Sequence, residues 1–120
     1  MSAEIKRTLL EASPVDGLPG WETRLFLIEY PAGADGGGHW HPVVGIGYVL
    51  AGSIVSAFGT DEPETFTAGQ SFQDPANIMH TISRNASDTE PMSFVIAYTV
   101  KTGEPNTVYA VLGDSGAGSK

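Results

Sequence analysis

Hydrophobic and polar residues alternate along much of this chain, with the two-residue period of β-strands. In the segment beginning at Ser93, Phe94, Ile96, Tyr98 and Val100 fall on one face. In an earlier segment Arg24, Phe26, Ile28 and Tyr30 share a face, while Leu25 and Leu27 occupy the other. Apolar residues on both faces suit a strand enclosed between two packed sheets, not one wetted on one side. Runs rich in β-branched and aromatic residues, bounded by Gly, Pro, Asn and Asp, predict strands at 5–11, 23–30, 46–50, 53–58, 71–73, 79–83, 93–101 and 107–112. Ala51-Gly52 predicts a two-residue turn between the third and fourth of these. No stretch of ten or more residues repeats at the helical period. Short strands at this spacing predict an all-β sandwich or barrel.

The chain has 120 residues, enough for one domain with a real core. That domain is expected over residues 1–112, with a flexible tail at 113–120 (G-D-S-G-A-G-S-K). There is no cysteine, so neither a disulfide nor a thiolate ligand is available. A formal charge of −8 disfavours nucleic acid and acidic membrane surfaces as partners. The N-terminus lacks the apolar segment of an export signal, and no run approaches a membrane span. A cytoplasmic location is expected.

His39, His41 and His80 are the only histidines. On a strand, His39 and His41 project together and Trp40 the other way, to pack on a sheet or a partner subunit. A third imidazole from a distant strand then completes a set of neutral nitrogen donors for a divalent metal: Fe(II), Mn(II), Ni(II), Cu(II) or Zn(II). Taken alone, an H-x-H pair reads better as two solvated loop residues.

Two longer patterns surround these histidines. Gly33, five residues, His39-Trp40-His41 and a closing Gly52 form the first; Gly69, five residues, Pro75, Asn77 and His80 form the second. Together they resemble the two motifs of the cupin superfamily, the second with Asn77 in place of a glycine. Asn is the next best residue for a left-handed turn. The closing Asn of that motif falls on Arg84, with Asn85 one residue late. The resemblance extends to small single-domain cupins. It implies a double-stranded β-helix (jelly-roll) barrel of two antiparallel sheets, open at one end, with metal on the motif histidines. It also implies a homodimer, formed by packing sheets or by exchanging an N-terminal strand such as 5–10.

The resemblance also identifies a departure. Metal-binding cupins usually carry a glutamate four or five residues after the second histidine, and Gly45 stands in its place. The ligands are then three histidines, or an oxygen donor is recruited from elsewhere. Asp74 is the nearest motif carboxylate, although an exposed turn-capping role reads better for it. Three neutral imidazoles leave the ion's charge uncompensated, which favours an anionic bidentate ligand and Lewis-acid or dioxygen chemistry. Arg24 either projects into the cavity toward an anion or pairs with Glu22 or Glu29. Phe26, Tyr48, Phe72, Met79, Phe94 and Tyr98 are cavity wall or plain core. The glycine-rich segment 31–38 is a lip over the site or a simple surface connection. Two functions follow: a metalloenzyme for a small anionic or enolisable molecule, by dioxygenase- or lyase-type chemistry, or a non-catalytic small-molecule- or metal-binding cupin. In either case the expected partner is a small molecule.

Overall fold

A computed structural model describes residues 4–109. It consists of ten strands: β1 (Lys6–Pro14), β2 (Trp21–Tyr30), β3 (His39–Trp40), β4 (Gly45–Ala51), β5 (Ser53–Phe58), β6 (Glu64–Thr67), β7 (Ser71–Asp74), β8 (His80–Asn85), β9 (Met92–Lys101) and β10 (Val108–Tyr109). They form two five-stranded sheets, ordered β1-β2-β9-β4-β7 and β10-β3-β8-β5-β6, with neighbouring strands antiparallel throughout. The all-β, two-sheet expectation holds. There is no helix among the described residues, and so none long and apolar enough to cross a membrane. The proposed tail at 113–120 and the end of the 107–112 strand lie outside the described residues.

The alternation read in β9 is the core. Met92, Phe94, Ile96, Tyr98 and Val100 are all buried, and Phe26, Ile28 and Tyr30 meet them across the sheet as partners of Ile96, Phe94 and Met92. Ile54 of the second sheet and Phe72 of β7 close the interior. β6 and the two-residue β3 escape the pattern because each is too short to show a period.

Two expectations need correction. Ala51-Gly52 does not close a hairpin: β4 and β5 belong to different sheets, and the chain crosses between them at Gly52, whose φ is +76°. Tyr48, expected in the cavity wall or core, instead faces outward. Gly45, Gly47 and Val49 point inward, while Ile46, Tyr48 and Leu50 are 59%, 47% and 48% exposed on the outer face. The aromatic rings of the neighbouring strands dictate this choice. The Phe72 ring lies directly on Gly47, and the Tyr98 ring on Gly45. The N-terminal strand pairs with β2 of its own chain, with a bulge between Leu9 and Glu11.

Candidate metal centre

Strand register assembles the site from two facing rows. Across the first sheet, Arg24, Tyr98, Gly45 and Asp74 are successive partners. Across the second, Tyr109, His39, His80 and Phe58 are successive partners. Directly opposed residues of an antiparallel ladder point to the same side. Each row therefore presents its side chains together, and the rows meet at one end of the sandwich. His41 follows β3 and enters between them. Its backbone carbonyl accepts from the N–H of Asn77 at 2.7 Å. Asn77 has φ +62° and is the single non-glycine among the described residues in the left-handed region, as its place in the second motif requires.

The three imidazoles are buried, at 6%, 2% and 2% exposure for His39, His41 and His80. One nitrogen of each lies within 4.8 Å of the others. The remaining nitrogens are held from behind. His39 Nδ1–H donates to the Gly36 carbonyl at 2.8 Å, and His41 Nδ1–H to the Asn106 carbonyl at 2.9 Å. Both rings thereby present an Nε2 lone pair forward. His80 is turned the other way, with Nε2 2.8 Å from Ser56 Oγ and Nδ1 3.2 Å from His39 Nε2. The Ser56 hydroxyl can donate or accept, so His80 can hold its proton on either nitrogen and free Nδ1 for an ion. Phe58 stacks on the His80 ring at 4.0 Å and 16°.

Burial is the largest cause of the basicity loss at this site. It holds both His39 and His80 down at about 4. Lesser contributions come from His41 beside His39, and from the other two histidines beside His80, where Asp74 pulls the opposite way. Both rings are neutral at pH 7, the state that binds metal. Because the unfolded chain takes up these protons at the ordinary value of 6.5, stability is fully present above about 6.5 and falls as pH drops toward 4. Metal-free protein is expected to melt at a lower temperature at pH 5 than at pH 7 in calorimetry. An unchanged melting temperature would contradict the burial argument.

Asp74 is not an exposed turn cap. It is 4% exposed, with Oδ2 3.5 Å from His41 Nε2 and 3.9 Å from His80 Nδ1. Two buried polar atoms here, His41 Nε2 and Asp74 Oδ1, have no hydrogen-bond partner. A buried polar atom left so is costly. Two acceptor atoms orphaned side by side in a nest of imidazoles are the signature of a place shaped for a cation, so these residues fit a metal.

Of the other sequence-selected residues, Phe94 and Tyr98 line the chamber with Asp74. Phe26, Phe72 and Met79 do not line it; Phe72 is core and Phe26 packs against the core. Tyr48 faces outward, for the reason given by Gly47 and Phe72. Arg24 is engaged by Glu22 Oε2 and by Asn106 Oδ1 at 3.2 Å. It supports the residue whose carbonyl orients His41, and it does not reach the chamber. Trp40 points away from the site, half-buried. Segment 31–38 is pinned along β8 by N–H bonds from Gly36 to Ser83 and from Gly38 to His80, at 2.7 and 2.9 Å. A side chain at Gly37 would meet the Thr81 carbonyl, so glycine is what lets this segment lie flat.

Sequence reasoning missed Arg7, Ile28, Tyr30, Ser83, Thr107 and Tyr109, which complete the lining. Arg7 lies over the Tyr109 ring, 5.6 Å from its centroid. The chamber itself is only about 30 Å³, room for an ion and little else. It adjoins a cleft of about 570 Å³, walled by β1, residues Gly33–Gly37 and Tyr109, and Arg7 borders both spaces. The Tyr98 hydroxyl bonds to Thr107; burial first and then the Asp74 charge push its pKa up, so it stays protonated.

The family model of the cupin domain matches residues 26–98. Among solved structures, an uncharacterized protein with a double-stranded β-helix domain from Klebsiella pneumoniae superposes with a TM-score of 0.69 at 17% identity, covering 92% of this chain and 88% of that one. A DMSP lyase from Ruegeria pomeroyi gives 0.68 at 18% identity, covering 92% and 54%. An oxalate oxidase in complex with the substrate analogue glycolate gives 0.65 at 19%, covering 88% and 54%. This chain thus spans about half the length of the lyase and of the oxidase. At such identities the likeness is one of fold. No curated protein matches the chain.

Proposed function

This chain belongs to the cupin family, and from that premise we propose that it is a metal-dependent enzyme acting on a small anionic or enolisable molecule. The observation that carries the reading is the convergence of three buried imidazole nitrogens beside orphaned acceptor atoms. His39, His41 and His80 would hold the ion, one of Fe(II), Mn(II), Ni(II), Cu(II) or Zn(II). When bound, it would supply Lewis-acid activation of a coordinated oxygen or, as iron, dioxygen chemistry. The reaction class is of the dioxygenase or lyase type; a lyase and an oxidase among the structural neighbours support the scope of this fold.

The protein's own groups set what is admitted. The chamber excludes everything but one or two donor atoms of a substrate, whose remainder occupies the adjoining cleft. Arg7 is the one Lys or Arg lining either space, and Glu4 and Asp35 line the cleft with it. Its guanidinium suits a carboxylate on the substrate. The protonated Tyr98 hydroxyl can donate to a developing oxyanion near the ion.

Protein prepared without a histidine tag is expected to contain near-stoichiometric transition metal by elemental analysis. If none is found, even after reconstitution with Fe(II), Mn(II) or Zn(II), the reading fails. With metal bound, Arg7→Gln should weaken binding of glycolate, used as a carboxylate probe, by about 10-fold in calorimetric titration, as loss of one charge-assisted contact predicts. Equal affinity in the variant would remove Arg7 from the substrate site. Metal-loaded protein stabilised thermally by small carboxylates, yet converting none of them, would favour a non-catalytic binding cupin.

A further inference from the structure

We propose that Asp74 supplies the carboxylate the first motif lacks, so that the ligand has moved one strand sideways, from β4 to β7. The proposal rests on the metal-centre reading above. Gly45 and Asp74 are directly paired across these strands, so an inward side chain at either position reaches the same space. The position on β4 is closed. A Cβ at Gly45 would lie 2.6 Å from Tyr98 Cε1 and 2.9 Å from Ile96 Cδ1, closer than packed carbons approach. Tyr98 fills the volume a glutamate would need, and the carboxylate stands on the other side of Gly45.

The surroundings of Asp74 point the same way. It is buried, one oxygen has no partner, and among the described residues no Lys or Arg is paired with it. A buried carboxylate without a cation or donors is expensive, and a divalent ion is the compensation the site is shaped for. Distances agree. Two atoms bound to one ion at about 2.1 Å can lie at most about 4.2 Å apart. Asp74 Oδ2 stands 3.5 and 3.9 Å from the forward nitrogens of His41 and His80. Four protein donors, one of them anionic, leave the site with a single net positive charge and two positions for a substrate. That selects a monoanionic chelating ligand over a dianion.

The test compares the full untagged chain with Asp74→Asn, using Co(II) as the probe. Infrared difference spectra of the wild-type chain, with minus without Co(II), should show the shifted stretch of one coordinated carboxylate, a result independent of how any variant folds. In Asp74→Asn that band should vanish, the visible Co(II) spectrum should change, and affinity should fall at least about 10-fold, the lower end of what outer-sphere changes alone cost. Tight Co(II) binding with no carboxylate band, matched by the variant in affinity and spectrum, overturns the proposal while leaving a three-histidine centre intact. Failure of the wild-type chain to bind Co(II) overturns both.

Discussion

Alanine at position 41 is expected to leave a folded protein that holds no stoichiometric metal and turns over no substrate. His41 is the best of the three histidines for this experiment. It lies outside the strand ladders, in the segment between β3 and β4, so its removal breaks no cross-strand pair. His39 and His80, in contrast, face each other in register, and His80 also carries the stacked Phe58 ring. Truncating His41 removes a buried ring that contacts Tyr98, at 5.1 Å between centroids, and frees the Asn106 carbonyl. Such losses usually cost about 1–3 kcal/mol, which a 120-residue domain of ordinary stability tolerates. The loss in metal affinity should exceed about 100-fold, because even residues that merely orient a ligand are worth 10- to 100-fold. Circular dichroism establishes folding and elemental analysis reads the metal. Full occupancy in a folded His41→Ala protein would remove this histidine from the centre.

Gly45→Glu is expected to damage the protein, although it restores the residue found at that place in most metal-binding cupins. The inward-facing Cβ meets the Tyr98 ring and Ile96 at once, inside a core that is closed on that side by β9. Overpacking of this kind costs about 1–3 kcal/mol, and a second buried carboxylate next to Asp74 adds like-charge repulsion. At about 4 °C of melting temperature per kcal/mol for a domain of about this size, a drop of about 5–10 °C is the expected reading. Adding Tyr98→Ala should recover part of that drop by reopening the volume. If Gly45→Glu melts with the parent protein, the Tyr98 ring is not the obstacle described.

The sequence made the sandwich legible because β2 and β9 are long strands with an unbroken two-residue alternation and partner each other throughout. The histidines were legible because their spacing sits inside two glycine-framed motifs. Asn77 even showed its backbone conformation through its place in the second motif. What stayed hidden was set by contacts between distant segments. In β4 both candidate faces are compatible with burial by composition. The three residues Ile46, Tyr48 and Leu50 look more like core than Gly45, Gly47 and Val49 do. Only the rings of Phe72 and Tyr98, from strands far along the chain, settle which face turns inward. Asp74 was misjudged for a related reason. Next to a proline, an aspartate reads as a turn residue, and its pairing with Gly45 is a property of register. Arg7 carries no local signal at all, since every residue of β1 is exposed and the strand gains its role from lying beside the cleft.

The separation of the small chamber from the larger cleft has a consequence for how this protein can diversify. The ion-facing donors come from paired strand rows and the His41 segment, all locked by the two-sheet core. The cleft is bounded by an edge strand and a glycine-rich connection whose side chains carry little of the packing. Substitutions in those two stretches can exchange one guest molecule for another at small cost in folding. Such changes leave the histidine cluster in place, so a cupin sharing these histidines need not admit the same molecule.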